Sequence, residues 1–321
     1  MAVASRDASD RGGGEQTRAR YPDETGFIER DGVRVFWERY GEGSPTILLM
    51  PTWSIIHSRH WKLVIPYLAR HFRVVTFDGR GNGRSDRPPG PAAYAGTEFV
   101  ADAVAVLDRT GTDKAVVAGL SMGAGYALSL AALHPDRAIG LVLFGPAIPI
   151  MDGPSDAPEA VANASFEEPQ PDDEDWHRYN AHYWLRDWPG FAAWFGGEKV
   201  FSEPHSTKQI EDTVSWMLET DPETIIATER ASFMRAPADW GPRPPGEALG
   251  VPFARRVSCP ALVVHGSADR IIPIEHGRRL AEVLGAPLVE VDGGGHNAIG
   301  RDPVLVNVLL RDFVRDLEVA P

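Results

Sequence analysis

Residues 114–125, Lys-Ala-Val-Val-Ala-Gly-Leu-Ser-Met-Gly-Ala-Gly, constrain the fold of this chain more than any other stretch. An apolar run, Ala115 to Ala118, enters Gly119-Leu120-Ser121-Met122-Gly123, and a helix-forming run follows from Ala124 to Leu133. The pattern predicts a buried strand, a sharp turn and a helix, with Ser121 at the apex. In so tight a turn the serine backbone is strained and its hydroxyl stands clear of the sheet. Gly119 and Gly123 carry no Cβ, so neighbouring backbone can pass closely. The helix N-terminus beneath the serine favours negative charge there.

The rest of the chain supplies a sheet for this turn to sit in. Gly26–Glu29 and Val33–Tyr40 read as strands of a hairpin joined by Asp31-Gly32. Short continuous apolar runs follow at Thr46–Met50, Phe72–Phe77, Ile139–Phe144, Pro260–His265 and Pro287–Val291, as in strands covered on both faces. Helical patterns lie between them at Arg59–Arg70, Thr97–Asp108, Ile274–Leu284 and Pro303–Leu317, with Thr97 as the expected N-cap of its helix. Strands alternating with helices predict an α/β fold around a mostly parallel sheet. The rhythm breaks between 146 and 250. An acidic stretch from Asp152 to Asp175 gives way to crowded aromatics, Trp176 to Trp216, with helices expected at Trp176–Leu185, Ser206–Leu218 and Pro222–Phe233. The expected organisation is a disordered tail (1–22), a first core segment (23–145), a helical cap (146–250) and a second core segment (251–321).

Composition narrows the function. A net charge of −13, with no clustered run of Lys and Arg, argues against nucleic acid or an anionic membrane surface as partner. One cysteine, Cys259, rules out an intrachain disulfide and reads as a packing residue. Met1 to Arg20 lacks the apolar core of a secretory signal, and no stretch has the length of a membrane span. A soluble cytoplasmic protein is the expectation, and a homo-oligomer is compatible with it.

A serine hydroxyl is a weak nucleophile until a base accepts its proton and a third group orients that base. Two later segments supply candidates. In Val264-His265-Gly266-Ser267-Ala268-Asp269 a buried strand turns and presents Asp269 in the loop beyond. In Val291-Asp292-Gly293-Gly294-Gly295-His296 the last strand runs into three glycines, which let the loop fold back over the strand ends with its imidazole. Ser121, Asp269 and His296 are therefore the candidate catalytic residues. The backbone N–H groups of Met122 and of Trp53, in the loop after Met50, are the candidate oxyanion donors, and Thr52 or Ser54 could add a hydroxyl contact. His265 is expected to be packed. His57 and His60 stand near the predicted site mouth without a placed acid. No His/Cys/Asp cluster has metal-ligand spacing, so no metal is predicted.

Gly119-Leu120-Ser121-Met122-Gly123, the loop Asp78-Gly79-Arg80-Gly81-Asn82-Gly83-Arg84-Ser85, His265-Gly266-Ser267-Ala268-Asp269 and Gly295-His296 occur in the order found in the α/β-hydrolase superfamily, which the chain resembles over residues 25–317. The resemblance implies an eight-stranded, mostly parallel sheet with helices on both faces and a helical cap after the sixth strand. It also implies a Ser121–Asp269–His296 triad, no cofactor, and hydrolysis of a small-molecule ester or lactone through an acyl-enzyme. Many relatives carry His-Gly where Pro51-Thr52-Trp53 stands here, and some place the acid after the sixth strand, where Asp152 is the nearest carboxylate but fits less well than Asp269. The aromatic cap suggests a bulky apolar or aromatic substrate, with Trp184, Trp188 and Trp216 expected to line its cavity. The chain is also similar to bacterial hydrolases that open the macrolactone zearalenone. Cleavage of a C–C bond, acyl transfer to another acceptor, or ligand binding without catalysis are the rival readings.

Overall fold

The computed structural model describes residues 18–153, 162–203 and 207–319. Of the predicted tail, residues 1–17 lie outside this set, as do Asp156 and Glu159 of the acidic stretch and Ser206 of a cap helix. Two residues assigned to the tail are tied to the body: Arg18 pairs with buried Glu38 at 2.6 Å, and Arg20 pairs with Asp23 at 2.8 Å.

Eight strands form one sheet: β1 (Glu24–Arg30), β2 (Val33–Tyr40), β3 (Thr46–Leu49), β4 (Arg73–Phe77), β5 (Ala115–Leu120), β6 (Ala138–Phe144), β7 (Ala261–Gly266) and β8 (Leu288–Val291). Their spatial order is β1-β2-β4-β3-β5-β6-β7-β8. β2 runs antiparallel to both β1 and β4; every other pair is parallel. The hairpin turn holds Asp31 at φ 54° and Gly32 at φ 77°, the two positive values that an Asp-Gly turn between twisted strands requires.

Alternation along the central strands divides the core in two. Ala115, Val117, Leu141, Leu143, Ala261 and Val263 face one layer, with Phe99, Val106 and Leu280 from the helices Gly96–Arg109 and Ile274–Leu284. Val116, Ala118, Val142, Phe144, Leu262 and Val264 face the other, with Trp61, Leu68, Leu310 and Val314. A period of two in a strand buried on both faces produces this division. The elbow helix, Met122–Leu133, is buried from Gly123 to Ala132, so its sequence is apolar on every side.

Thr97 is not an N-cap. The helix begins one residue earlier, at Gly96, without a side-chain cap. Gly96 N donates to Ser232 O at 2.9 Å, and a Cβ on Gly96 would lie 1.9 Å from Phe233 O. A segment from the β6–β7 connection therefore occupies the space where a cap would form, and it satisfies that amide instead.

The connection from β6 to β7 carries helices Ala181–Arg186, Trp188–Trp194, Thr207–Met217 and Pro222–Glu229. Their aromatic side chains form a third cluster, which takes in Trp53, Ile55 and Ile56 from the loop after β3. Cys259 is half-buried against the first layer, and burial pushes its thiol above the ordinary range. Among the described residues no helix is long and apolar enough to cross a membrane.

Candidate active site

Ser121 sits where β5 gives way to the elbow helix, at φ 56° and ψ −123°. This is a strained conformation for a residue with a side chain, and the surrounding backbone enforces it. Ser121 N donates to Phe144 O at 2.9 Å, and Ser121 O accepts from Ala124 N at 3.0 Å. A Cβ on Gly119 would lie 2.1 Å from Gly123 O, and one on Gly123 would lie 2.4 Å from Pro51 O. Both flanking glycines are thus required by contact, and the second brings the β3 loop across the start of the helix.

Pro51-Thr52-Trp53 is held there by further bonds. Thr52 Oγ1 donates to Leu120 O at 2.8 Å, and Trp53 Nε1 donates to Thr228 Oγ1 at 2.8 Å. Ser54 Oγ donates to Arg80 O at 2.7 Å. The Thr52 and Ser54 hydroxyl protons are therefore spent on loop architecture, not on a contact with a reacting group. Met122 is the first residue of its helix, so its N–H has no acceptor within the helix.

Asp269 is fully buried beyond the end of β7. Its Oδ2 accepts from His296 Nδ1 at 2.8 Å, and its Oδ1 accepts from Ile271 N and Ile272 N at 2.8 and 3.0 Å. A second imidazole reaches the same carboxylate: His265 Nε2 lies 3.1 Å from Asp269 Oδ2 and 3.0 Å from Ile272 O. Both neighbours are acceptors, so Nε2 carries the proton. Burial alone would raise the Asp269 pKa; the charge of His296 and the bonds from His265 and His296 outweigh it and hold the carboxyl well below its usual range. His265 is packed, as its sequence position suggests, but its contact with the acid was not legible. Asp152, the other candidate acid, instead accepts from Ala248 N at 2.9 Å.

The glycine run brings in His296. A Cβ on Gly266 would lie 2.2 Å from Gly294 O and 2.3 Å from Gly295 O, so the loop lies directly on the end of β7. Gly295 N donates to the buried Glu203 Oε1 at 2.6 Å. A residue from the β6–β7 connection thus fixes the peptide just before His296. Glu203 went unnoticed because nothing in a lone glutamate next to proline signals such a contact.

Ser121 and His296 line one cavity of about 40 Å³, together with Thr52, Trp53, Met122 and Met217. Trp184, Trp188 and Trp216 do not line it. Trp184 is fully buried, with its ring centroid 5.8 Å from those of both Trp53 and Trp188, and Trp216 packs 5.5 Å from His57. The wall positions expected of these tryptophans are taken by Phe195, Val200 and Met217. His57 Nε2 lies 3.3 Å from Glu219, and His60 is buried against Trp61 at 4.7 Å. Among the described residues no group of three or more His, Cys, Asp or Glu side chains could hold a metal ion.

The chain belongs to the alpha/beta hydrolase fold family, whose model matches residues 45–303. Among curated proteins it is 28% identical over 301 residues to 2-hydroxymuconate semialdehyde hydrolase of Pseudomonas sp. (strain CF600), covering 90% of this chain and 93% of that one. Among solved structures it resembles a thermophilic esterase from Thermogutta terrifontis, with a TM-score of 0.72, 24% identity, and coverage of 92% of this chain and 99% of that one. The enol-lactonase from Burkholderia xenovorans LB400 superposes with a TM-score of 0.68 at 22% identity, covering 89% of this chain and 98% of that one.

Proposed function

We propose that the protein is a serine hydrolase of carboxylic esters or lactones that works through an acyl-enzyme. The observation that carries this reading is the Asp269–His296 hydrogen bond, 2.8 Å long, beside a cavity shared by His296 and the strained Ser121. Asp269 fixes the imidazole with its Nδ1 protonated, so Nε2 carries no proton and can act as a base. His296 takes the Ser121 proton as Oγ attacks the substrate carbonyl carbon. The N–H groups of Met122 and Trp53 stabilise the oxyanion. On collapse the C–O bond to the leaving alcohol breaks, and His296 returns the proton to that oxygen. Water then attacks the acyl-enzyme with the same base, the Ser121 ester bond breaks, and the acid departs. The apolar wall of the cavity, Trp53, Ile55, Ile56, Phe195, Val200 and Met217, favours apolar substrates.

Replacing Ser121 by Ala is expected to lower ester kcat/KM by at least about 10⁴-fold with the melting temperature preserved. Full retained activity would remove the proposal. The substrate panel includes aryl esters, small lactones and the macrolactone zearalenone. Cleavage of a C–C bond next to a ketone is the second reading, favoured by the likeness to a semialdehyde hydrolase over most of both chains. A vinylogous diketone in the same panel separates the two. A ligand receptor without catalysis would leave Ser121 unreactive toward a fluorophosphonate.

A further inference from the structure

Two cavities meet at Met122. The smaller, about 40 Å³, holds Ser121 and His296 in its wall. The larger, about 550 Å³, opens on the other side of Met122, between the residues after β6 (Ile148, Ile150) and the connection above them (Ala231, Phe233, Leu249), with Glu229, Arg243 and Glu247 also in its wall. Neither Ser121 nor His296 is in its wall; Met122, which follows the serine, is. The adjacent Ile271 and Ile272 divide in the same way, one lining each cavity.

The volumes differ in kind. One water occupies roughly 10–15 Å³ measured this way, so the smaller space takes a group of about two or three heavy atoms. The larger falls within the range of about 300–1,000 Å³ that encloses a whole drug-sized ligand. Chemistry decides which half of the substrate goes where. The leaving oxygen must receive its proton from His296, and the deacylating water must give one up to it. Both must therefore stand in the cavity that His296 lines. The acyl group, bonded to Ser121 with its oxyanion on the Met122 N–H, then reaches the larger space past Met122, the residue that both cavities share.

We infer, on the strength of the ester-hydrolase reading above, that the substrates are esters of a bulky, largely apolar acid with a small alcohol, the acyl group occupying the 550 Å³ chamber and the alcohol the 40 Å³ pocket. The pocket suits the two-step reaction, because a space that admits a methoxy or ethoxy group also admits the water that replaces it. Esters of large alcohols are excluded, since their leaving group has nowhere to go.

Two series of esters test the assignment, with kcat/KM divided by the rate of hydroxide hydrolysis to remove intrinsic reactivity. In methyl esters, enlarging the acid from acetate to 2-naphthylacetate raises the ratio at least about tenfold. In acetates, enlarging the alcohol from ethyl to 2-naphthylmethyl lowers it at least about tenfold. A flat dependence, or the opposite one, overturns the inference while leaving the ester-hydrolase reading intact. Absence of turnover in both series, with Ser121 unlabelled by a small fluorophosphonate, overturns that reading instead. Ala231→Trp, which fills the chamber wall, is expected to lower the ratio of methyl 2-naphthylacetate to ethyl acetate turnover about tenfold. An unchanged ratio in a variant that still takes up the fluorophosphonate counts against the assignment.

Discussion

Asp269 is the most heavily bonded side chain of the candidate site. Its two oxygens accept from two imidazoles and two backbone amides, and the side chain is fully buried. Such a carboxylate has one orientation, and a base bonded to it inherits that precision. His265 contributes by sharing its Nε2 proton between Asp269 and Ile272 O. His265→Leu removes that donor and leaves the other three in place. We expect kcat to fall about tenfold, with KM little changed, because the loss is one of alignment rather than of substrate contact. Steady-state kinetics on a methyl ester decide the matter; an unaltered kcat would show that His265 serves packing alone.

The elbow, the β3 loop and the β6–β7 connection behave as one assembly, since each limits how closely the others can approach. Gly123 is the point of contact. Adding a methyl group there places a carbon 2.4 Å from Pro51 O, against backbone that cannot rotate aside. Gly123→Ala therefore pushes away the loop that carries the Trp53 N–H, and if that group is the proposed oxyanion donor, its loss costs about 10²–10³ in kcat. Comparing the variant's kcat with its denaturant midpoint separates this from unfolding; wild-type turnover would mean that the loop supplies no donor. The elbow was legible because Gly119, Ser121 and Gly123 are dictated by local backbone geometry. The strands were legible for a similar reason, as unbroken apolar runs such as Thr46–Leu49 are what burial on both faces demands. What was not legible depends on partners far away in sequence. The start of the helix at Gly96 is set by Ser232 and Phe233, and the role of Glu203 by Gly295. The tryptophans of the cap read as cavity wall because composition does not tell an aromatic core from an aromatic lining. In the fold Trp53 enters that cluster and converts it into an interior.

At the scale of the whole molecule, His60 and Asp269 both tie stability to acid, in different pH windows. His60 is buried with neither ring nitrogen hydrogen-bonded, and desolvation, helped by His57, lowers its pKa from 6.5 to about 3. Between these values the unfolded chain binds a proton that the folded one refuses. Stability is therefore complete above the unfolded value and falls as the pH drops through the window, by about 1.4 kcal/mol per unit. Asp269, held below its ordinary range, adds a stabilisation that is complete above about pH 4 and is lost only as the pH falls further. His60→Leu should remove the first slope alone, so its stability relative to wild type should improve by about 2 kcal/mol between pH 7 and pH 5. Urea unfolding at the two pH values measures this; a difference independent of pH would show that His60 is protonated in the fold.

All of these features bear on one proposed arrangement, in which a serine from the centre of the sheet gives its proton to an imidazole that lines the same cavity. Mass spectrometry after exposure to diisopropyl fluorophosphonate tests that arrangement most directly. Wild-type protein should gain a single adduct, on the peptide that contains Ser121, and His296→Ala should gain none under the same conditions. Failure of the wild type to react, or reaction at Ser121 that survives the loss of His296, would contradict the account.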